Sequence, residues 1–213
     1  MEFLDPDPSA RLAGRYTRGY LPHLRAQGRA YFVTFRLDGT LPQEVLRQYQ
    51  AEREALLASA QKNEELSIAD ERRLLELYSE KIEAYLDAGR GECWLKDPRI
   101  AGLVAGALRF FHGQRYDLGP WVVMPNHVHV IVRPLGGHLL DRIVKSWKGF
   151  TAREANRLLQ RTGDHFWARE YYDHVVRNDE ERARWAGYIH DNPVQAGLCD
   201  RWEDWPWSSA HRP

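Results

Sequence analysis

The spacing of apolar side chains divides the chain into strand-like and helix-like runs. Ala30-Tyr-Phe-Val-Thr-Phe-Arg-Leu37 alternates and is rich in β-branched and aromatic residues, so it predicts a strand, ended by Asp38-Gly39. From Pro42 to Ala88 the period is helical, with Leu46, Tyr49, Leu74, Leu75, Leu77, Tyr78, Ile82 and Tyr85 as the apolar positions and a polar break near Asn63 to Ser67. Asp97-Pro98 opens a helix over Arg99 to His112, because proline is tolerated in a first turn. Two strand runs follow, Pro120 to Met124 and His127 to Arg133, joined by a Pro125-Asn126 turn. Gly136-Gly137 breaks the chain before a helix over Leu139 to Leu159, and His165 to Val176 reads as extended. Asn178-Asp-Glu-Glu181 has capping-box spacing and starts a last helix that carries Tyr188 and is expected to stop near Asn192-Pro193. The aromatic tail, Trp202 to Ser209, is expected to pack on the domain. This order predicts an α+β fold: a ferredoxin-like antiparallel sheet with helices on one face, plus a helical insertion at 43–90. One domain over 1–213 accommodates all of it.

Composition narrows the class. The 213 residues are 43% hydrophobic and 28% charged, which is ordinary for a folded protein. No apolar run is long enough to span a membrane. The acidic, proline-broken start lacks the features of a signal peptide, and only Cys93 and Cys199 are present, which together point to a reducing cytoplasm. The zero net charge hides an uneven distribution. Six Arg and no acid lie between Ser9 and Arg36, nine Lys/Arg against five acids between Arg133 and Arg177, and eleven acids against seven bases between Gln43 and Arg90. The chain thus has a basic N-terminal arm over 1–29 and an acidic insertion over 43–90. Of its thirty cations twenty-five are Arg, a choice that suits phosphates and guanine edges but also follows from genomic base composition.

The first candidate chemistry is His127-Val128-His129. Residues two apart on a strand share a face, with their backbones roughly 6–7 Å apart, so both imidazoles can converge on one ion. The valines at 128, 130 and 132 then face the core. The alternative is a pair of polar residues on a half-buried strand. The second is Tyr188 with Asn192, one helical turn apart on one face. Two ring nitrogens and an amide oxygen would leave positions open on a divalent ion, Mg²⁺ or Mn²⁺, for phosphate oxygens. The adjacent hydroxyl would be placed to attack phosphorus. Otherwise Tyr188 is a core aromatic and Asn192 a helix cap.

Three blocks carry a family resemblance. Met124-Pro-Asn-His-Val-His-Val-Ile-Val132 resembles the metal-binding strand of the HUH single-tyrosine transposases. Phe166 to Arg177, Tyr188 to Leu198 and the terminal Trp205-Pro-Trp-Ser-Ser209 resemble the REP-associated branch, whose members are linked to repetitive extragenic palindromes. The resemblance covers Arg29 to Leu37 and Pro120 to Ser209; the acidic segment 43–90 is longer than in compact members. It implies that His127 and His129 are metal ligands, Asn192 a third polar ligand, and Tyr188 the nucleophile of a covalent 5′-phosphotyrosine link. His174 would support the site from behind, or else be a buried, hydrogen-bonded histidine. The pair Tyr171-Tyr172 lacks the Asn partner and is expected to be structural or to stack on DNA.

The expected DNA contacts are Arg142, Lys145 and Lys148, which share a helix face, with Arg153 further along, Arg177, and the arm arginines, Arg15 and Arg18 among positions 11, 15, 18, 25 and 29. A solvated cationic helix face is the alternative for the helical set. The implied activity is metal-dependent nicking and strand transfer on single-stranded hairpin DNA, by a monomer in preference to a dimer. The rival readings are a domesticated hairpin-DNA-binding protein without catalysis, and a metal-dependent hydrolase that uses water.

Overall fold

The computed structural model describes residues 12–18, 21–26, 28–60 and 68–212. Arg11 lies outside the described residues. Strands β1 (Leu12–Arg18) and β2 (Leu21–Ala26) form an antiparallel hairpin in the basic arm. The main sheet has four strands: β3 (Tyr31–Arg36), β4 (Tyr116–Val123), β5 (His127–Pro134) and β6 (Tyr172–Val175). Their order is β4-β5-β3-β6, and every pairing is antiparallel. The chain runs strand, helix, strand, strand, helix, strand through this sheet, so the α+β, ferredoxin-like reading holds.

Alternation on the strands decides what each face contains. Val33 and Phe35 of β3 and Val128, Val130 and Val132 of β5 point to one face. There they pack against helices α4 (Pro98–Phe110) and α5 (Leu140–Leu158) in an apolar core with Ile100, Val104 and Trp147. Phe32 and Ile131 point to the other face and pack against Trp185 and Ile189 of the last helix, α6 (Asp179–Gln195). The two crossover helices share one face, and α6 covers the face that His127 and His129 occupy. Phe32 stacks on Trp185 with centroids 4.0 Å apart.

Local signals place the helix starts. Asp97 accepts from the Arg99 amide at 2.9 Å ahead of Pro98, and Asn178 accepts from the Glu181 amide at 2.8 Å. Two expectations fail. The helix α6 does not stop at Asn192-Pro193 but continues to Gln195 with Pro193 inside it. Proline there removes one amide in the last turn only, and burial of Ile189, Asn192 and Pro193 holds the helix on course. The run 165–176 is not one extended strand. Only Tyr172–Val175 pairs as β6, while Phe166 to Ala168 run beside the end of β3, where the Asp38 amide donates to the Phe166 carbonyl at 2.9 Å.

The acidic insertion folds as α1 (Gln43–Ala60) and α2 (Ile68–Tyr78), then a π-helical turn (Ser79–Glu83) leading into α3 (Ala84–Asp87). Its own small core holds Leu41, Tyr49, Leu77, Tyr78, Ile82 and Leu86. It is fastened to the sheet edge where Tyr78 stacks on Tyr172, centroids 3.8 Å apart. The partly buried Tyr172 ring has one face taken up by Tyr78 and meets Phe32 edge-on, and Tyr171 is buried, so both rings pack within the fold. The tail packs as expected: Trp205 donates to the Val123 carbonyl at 3.0 Å and Ser208 bridges to Val122. Among the described residues no helix is long and apolar enough to cross a membrane.

Candidate metal and nucleophile site

The centre of the site is the pair of histidines on β5. Both are fully buried, and their Nε2 atoms face each other at 2.9 Å. Each ring is held from behind through Nδ1. His127 Nδ1 meets Asn126 Oδ1 at 2.6 Å, and His129 Nδ1 meets Thr34 Oγ1 on β3 at 2.8 Å. Thr34 is the register partner of His129, so strand pairing supplies this contact. Phe32 covers the His129 ring, with centroids 5.5 Å apart.

Asn126 settles a proton position. Its Nδ2 donates to the Leu86 and Arg90 carbonyls, both at 3.1 Å, so its amide can be oriented only one way. Asn126 Oδ1 must then accept, and His127 Nδ1 must carry the proton. Burial lowers the His127 pKa to about 3 and puts that of His129 well below its usual value, so both rings are neutral at neutral pH. A neutral His127 with its proton on Nδ1 presents a bare lone pair at Nε2, as a metal ligand does.

Helix α6 brings Tyr188 and Asn192 to the same point. The Tyr188 hydroxyl is 3.5 Å from His129 Nε2, and the rings meet edge-on. A residue that sequence reasoning passed over joins them. Asp87, at the end of α3 in the insertion, places Oδ1 3.4 Å from His127 Nε2 and accepts from the Tyr188 hydroxyl at Oδ2 (3.3 Å) and from Asn192 Nδ2 at Oδ1 (3.2 Å). With His127 neutral, the Asp87 contact is not an ion pair but two acceptors facing each other. The Asn192 Oδ1 is buried without a hydrogen-bond partner. Burial raises the Tyr188 pKa above that of an ordinary phenol, and the charges of Glu83 and Asp87 raise it further. Burial also raises the Asp87 pKa, against the hydrogen bonds from Asn192 and Tyr188 that lower it.

Ligand atoms of Asp87, His127 and His129 all lie within 4.8 Å of one another. The bare His127 nitrogen, the His129 nitrogen facing it and the Asp87 carboxylate supply two imidazole nitrogens and an oxygen to one point, and the unpartnered Asn192 oxygen is a further donor nearby. The group therefore fits a divalent metal ion. Asp87 gave no local signal in the sequence, being one acid among many in a helical stretch. Asn126 was legible only as a turn residue.

The other expected residues lie elsewhere. His174 binds Glu181 of α6 at 2.7 Å, so it anchors the start of the helix that carries Tyr188 and touches neither histidine of the pair. Helix α5, with Arg142, Lys145, Lys148 and Arg153, is on the sheet face away from the histidines. Arg142 and Lys145 are exposed, and Arg153 lies 3.2 Å from Glu154. Lys148 is turned inward, donating to the Ala168 and Arg169 carbonyls at 2.8 and 2.9 Å, and burial lowers its pKa to about 8. Lys145 and Lys148 line a cavity of about 590 Å³ between α5 and residues 164–171. Arg177 is exposed beside Arg29, and Arg15 and Arg18 lie on β1.

Residues 109–192, which hold β5, His127, His129, Tyr188 and Asn192, match the family described as Transposase IS200 like. The resemblance read from the motifs stands. The particular relatives are REP-associated: the REP-associated tyrosine transposase of Escherichia coli K12 is 28% identical over 98 residues, 46% of this chain and 56% of that protein. A relative from Haemophilus influenzae is 29% identical over 99 residues, 42% of this chain and 56% of its own. The chain thus spans about half the length of the curated relatives it matches. A solved structure of a REP-associated tyrosine transposase bound to a REP hairpin has a TM-score of 0.48 and 18% identity, covering 92% of this chain and 82% of that one.

Proposed function

We propose that this chain is a metal-dependent enzyme that nicks single-stranded hairpin DNA and transfers the strand through a covalent link to Tyr188. The observation that carries the reading is the Tyr188 hydroxyl lying 3.5 Å from His129 Nε2, beside the two facing imidazole nitrogens. His127, His129 and Asp87 would hold Mg²⁺ or Mn²⁺, with Asn192 as a further ligand once its amide turns. A bound divalent ion polarises the phosphoryl group and offsets developing negative charge.

The chain's own groups account for the rest. Asp87 Oδ2 already accepts the phenol's hydrogen bond, so it takes the proton as the Tyr188 oxygen attacks phosphorus. The bond from phosphorus to the 3′ oxygen breaks. That oxygen takes a proton from solvent and leaves as a free 3′-OH, while the 5′ phosphate stays on the tyrosine. Attack by another 3′-OH reverses the step and joins a new strand. Phe32, Trp185 and His129 pack around Tyr188 and limit where its hydroxyl can point.

The test is a denaturing gel of end-labelled hairpin oligonucleotides with single-stranded flanks, run with Mn²⁺ and with chelator. A protein-linked strand that appears only with the cation, and vanishes in Tyr188→Phe, is the expected result. Binding without cleavage would support the non-catalytic reading, and a cleaved strand free of protein would support hydrolysis by water.

A further inference from the structure

The match to the transposase family begins at residue 109, so α1, α2 and α3 lie outside it. Yet the end of α3 reaches the centre of the site. Three contacts fasten it there. Asn126 Nδ2 holds the Leu86 and Arg90 carbonyls on either side of Asp87, both at 3.1 Å. Tyr78 stacks on Tyr172. Leu86 is fully buried in the insertion core. Glu83, one helical turn before Asp87, is also buried. The carboxylate of Asp87 is therefore placed rigidly rather than swinging on a loose surface helix.

Its position conflicts with a substrate phosphate. The reacting phosphorus must come within roughly 3–3.5 Å of the Tyr188 hydroxyl. That hydroxyl is 3.3 Å from Asp87 Oδ2. A phosphodiester placed for attack would bring its anionic oxygens next to a fixed carboxylate in a partly buried setting, where like charges repel more than they do in open water. A cation held between His127, His129 and Asp87 removes the conflict, because carboxylate and phosphate then share it.

Building on the function proposed above, we propose that the acidic insertion is a charge lock on the active site: Asp87 excludes the scissile phosphate until the pocket holds a divalent cation, for which Asp87 is itself a ligand. The insertion would thus make productive DNA entry conditional on metal. The same anchor, Asn126, fixes both the insertion carbonyls and the His127 proton, so docking of the insertion and readiness of the ligand nitrogen are one event.

The test uses the full chain in a Tyr188→Phe background, so that binding is read without cleavage. Mn²⁺ affinity is measured by electron paramagnetic resonance, and affinity for a labelled hairpin with a single-stranded flank by fluorescence anisotropy, with Mn²⁺ and with chelator. With Asp87 intact, Mn²⁺ should tighten hairpin binding about tenfold or more. Asp87→Asn, which is isosteric but removes the charge of a direct ligand, should weaken Mn²⁺ binding by at least the roughly 10–100-fold typical of losing a group that only orients a ligand. It should also raise the affinity in chelator, so that the ratio falls towards one. Asp87→Glu, which keeps the charge, should retain the dependence. If Asp87→Asn leaves both the Mn²⁺ affinity and the ratio unchanged, the lock is overturned while the nuclease reading stands. If no hairpin binds under any condition, the nucleic-acid reading falls, and the lock with it.

Discussion

The two faces of the central sheet both carry an apolar core, but only one of them also buries a cluster of polar side chains at its centre. On one face, Val33, Phe35, Val128 and Val130 meet α4 and α5 in an apolar core whose few polar groups are paired, as Trp147 Nε1 is with the Tyr116 hydroxyl and Trp167 Nε1 with Thr151. On the other, Thr34, His127, His129 and Asn192 are just as buried, each exposing 0–1% of its surface. Burying apolar groups stabilises a fold at roughly 25 cal/mol per Å². Burying a polar group costs about 1–3 kcal/mol when its partners are missing. The first face needs no explanation beyond stability. The second is held by a specific network and leaves Asn192 Oδ1 unpartnered, so its composition is explained by chemistry rather than by folding.

The sharpest break between the faces comes from one substitution on each. Phe35→Ala should cost about 3–5 kcal/mol, as large cavities do, yet leave the thermal shift produced by Mn²⁺ intact. A ligand at a hundred times its Kd stabilises by about 2.7 kcal/mol. His129→Ala should abolish that shift, because it removes one of two facing nitrogens. Melting curves of the three proteins, with Mn²⁺ and with chelator, check both. A shift that survives in His129→Ala would mean the cation binds somewhere else.

The same contrast explains what could be read in advance. The period-2 alternation from Ala30 to Leu37 and from His127 to Arg133 gave both strands, because each strand's two faces differ in chemistry. Tyr188 and Asn192 were legible because a helical turn is a local spacing. Asp87 was not. Its role depends on where α3 docks, a long-range matter decided by the Tyr78–Tyr172 stack and by Asn126. Acids in a helical stretch read as solvated surface by default. The end of α6 was misplaced because the local rule for proline was outweighed by burial of Ile189 and Asn192.

Acid offers a milder probe of the histidine face. In the unfolded chain His127 titrates near 6.5, and in the folded protein near 3. Between those values the unfolded state binds more protons than the native state, so stability rises with pH there and falls on acidification. Above about pH 6.5 the histidine makes no pH-dependent contribution. Each such histidine gives a slope of at most ~1.4 kcal/mol per pH unit inside the window. In chelator, the melting temperature should therefore be lost steadily below pH 6.5. His127→Gln, which keeps the polar shape without a titrating ring, should flatten that loss, while substitutions on the valine face should lower the curve without changing its slope. An unchanged slope in His127→Gln would show that other groups set the acid response.

The smallest expected effect separates orientation from ligation. Thr34 touches no proposed substrate atom; its hydroxyl lies 2.8 Å from His129 Nδ1 and steadies the ring. Thr34→Val keeps the β-branched shape and so should leave the strand and its burial in place, but it deletes the hydrogen bond. Partners that orient metal-bound histidines typically contribute 10–100-fold in metal affinity or activity. Phe32 also packs on the His129 ring and partly restrains it without Thr34, so the lower end, about tenfold in Mn²⁺ affinity, is expected here. Thr34→Ser, which restores the hydroxyl, should recover most of the loss. If Val and Ser variants bind Mn²⁺ equally well, the ring is held by its apolar neighbours alone, and the polar network of this face ends at His129.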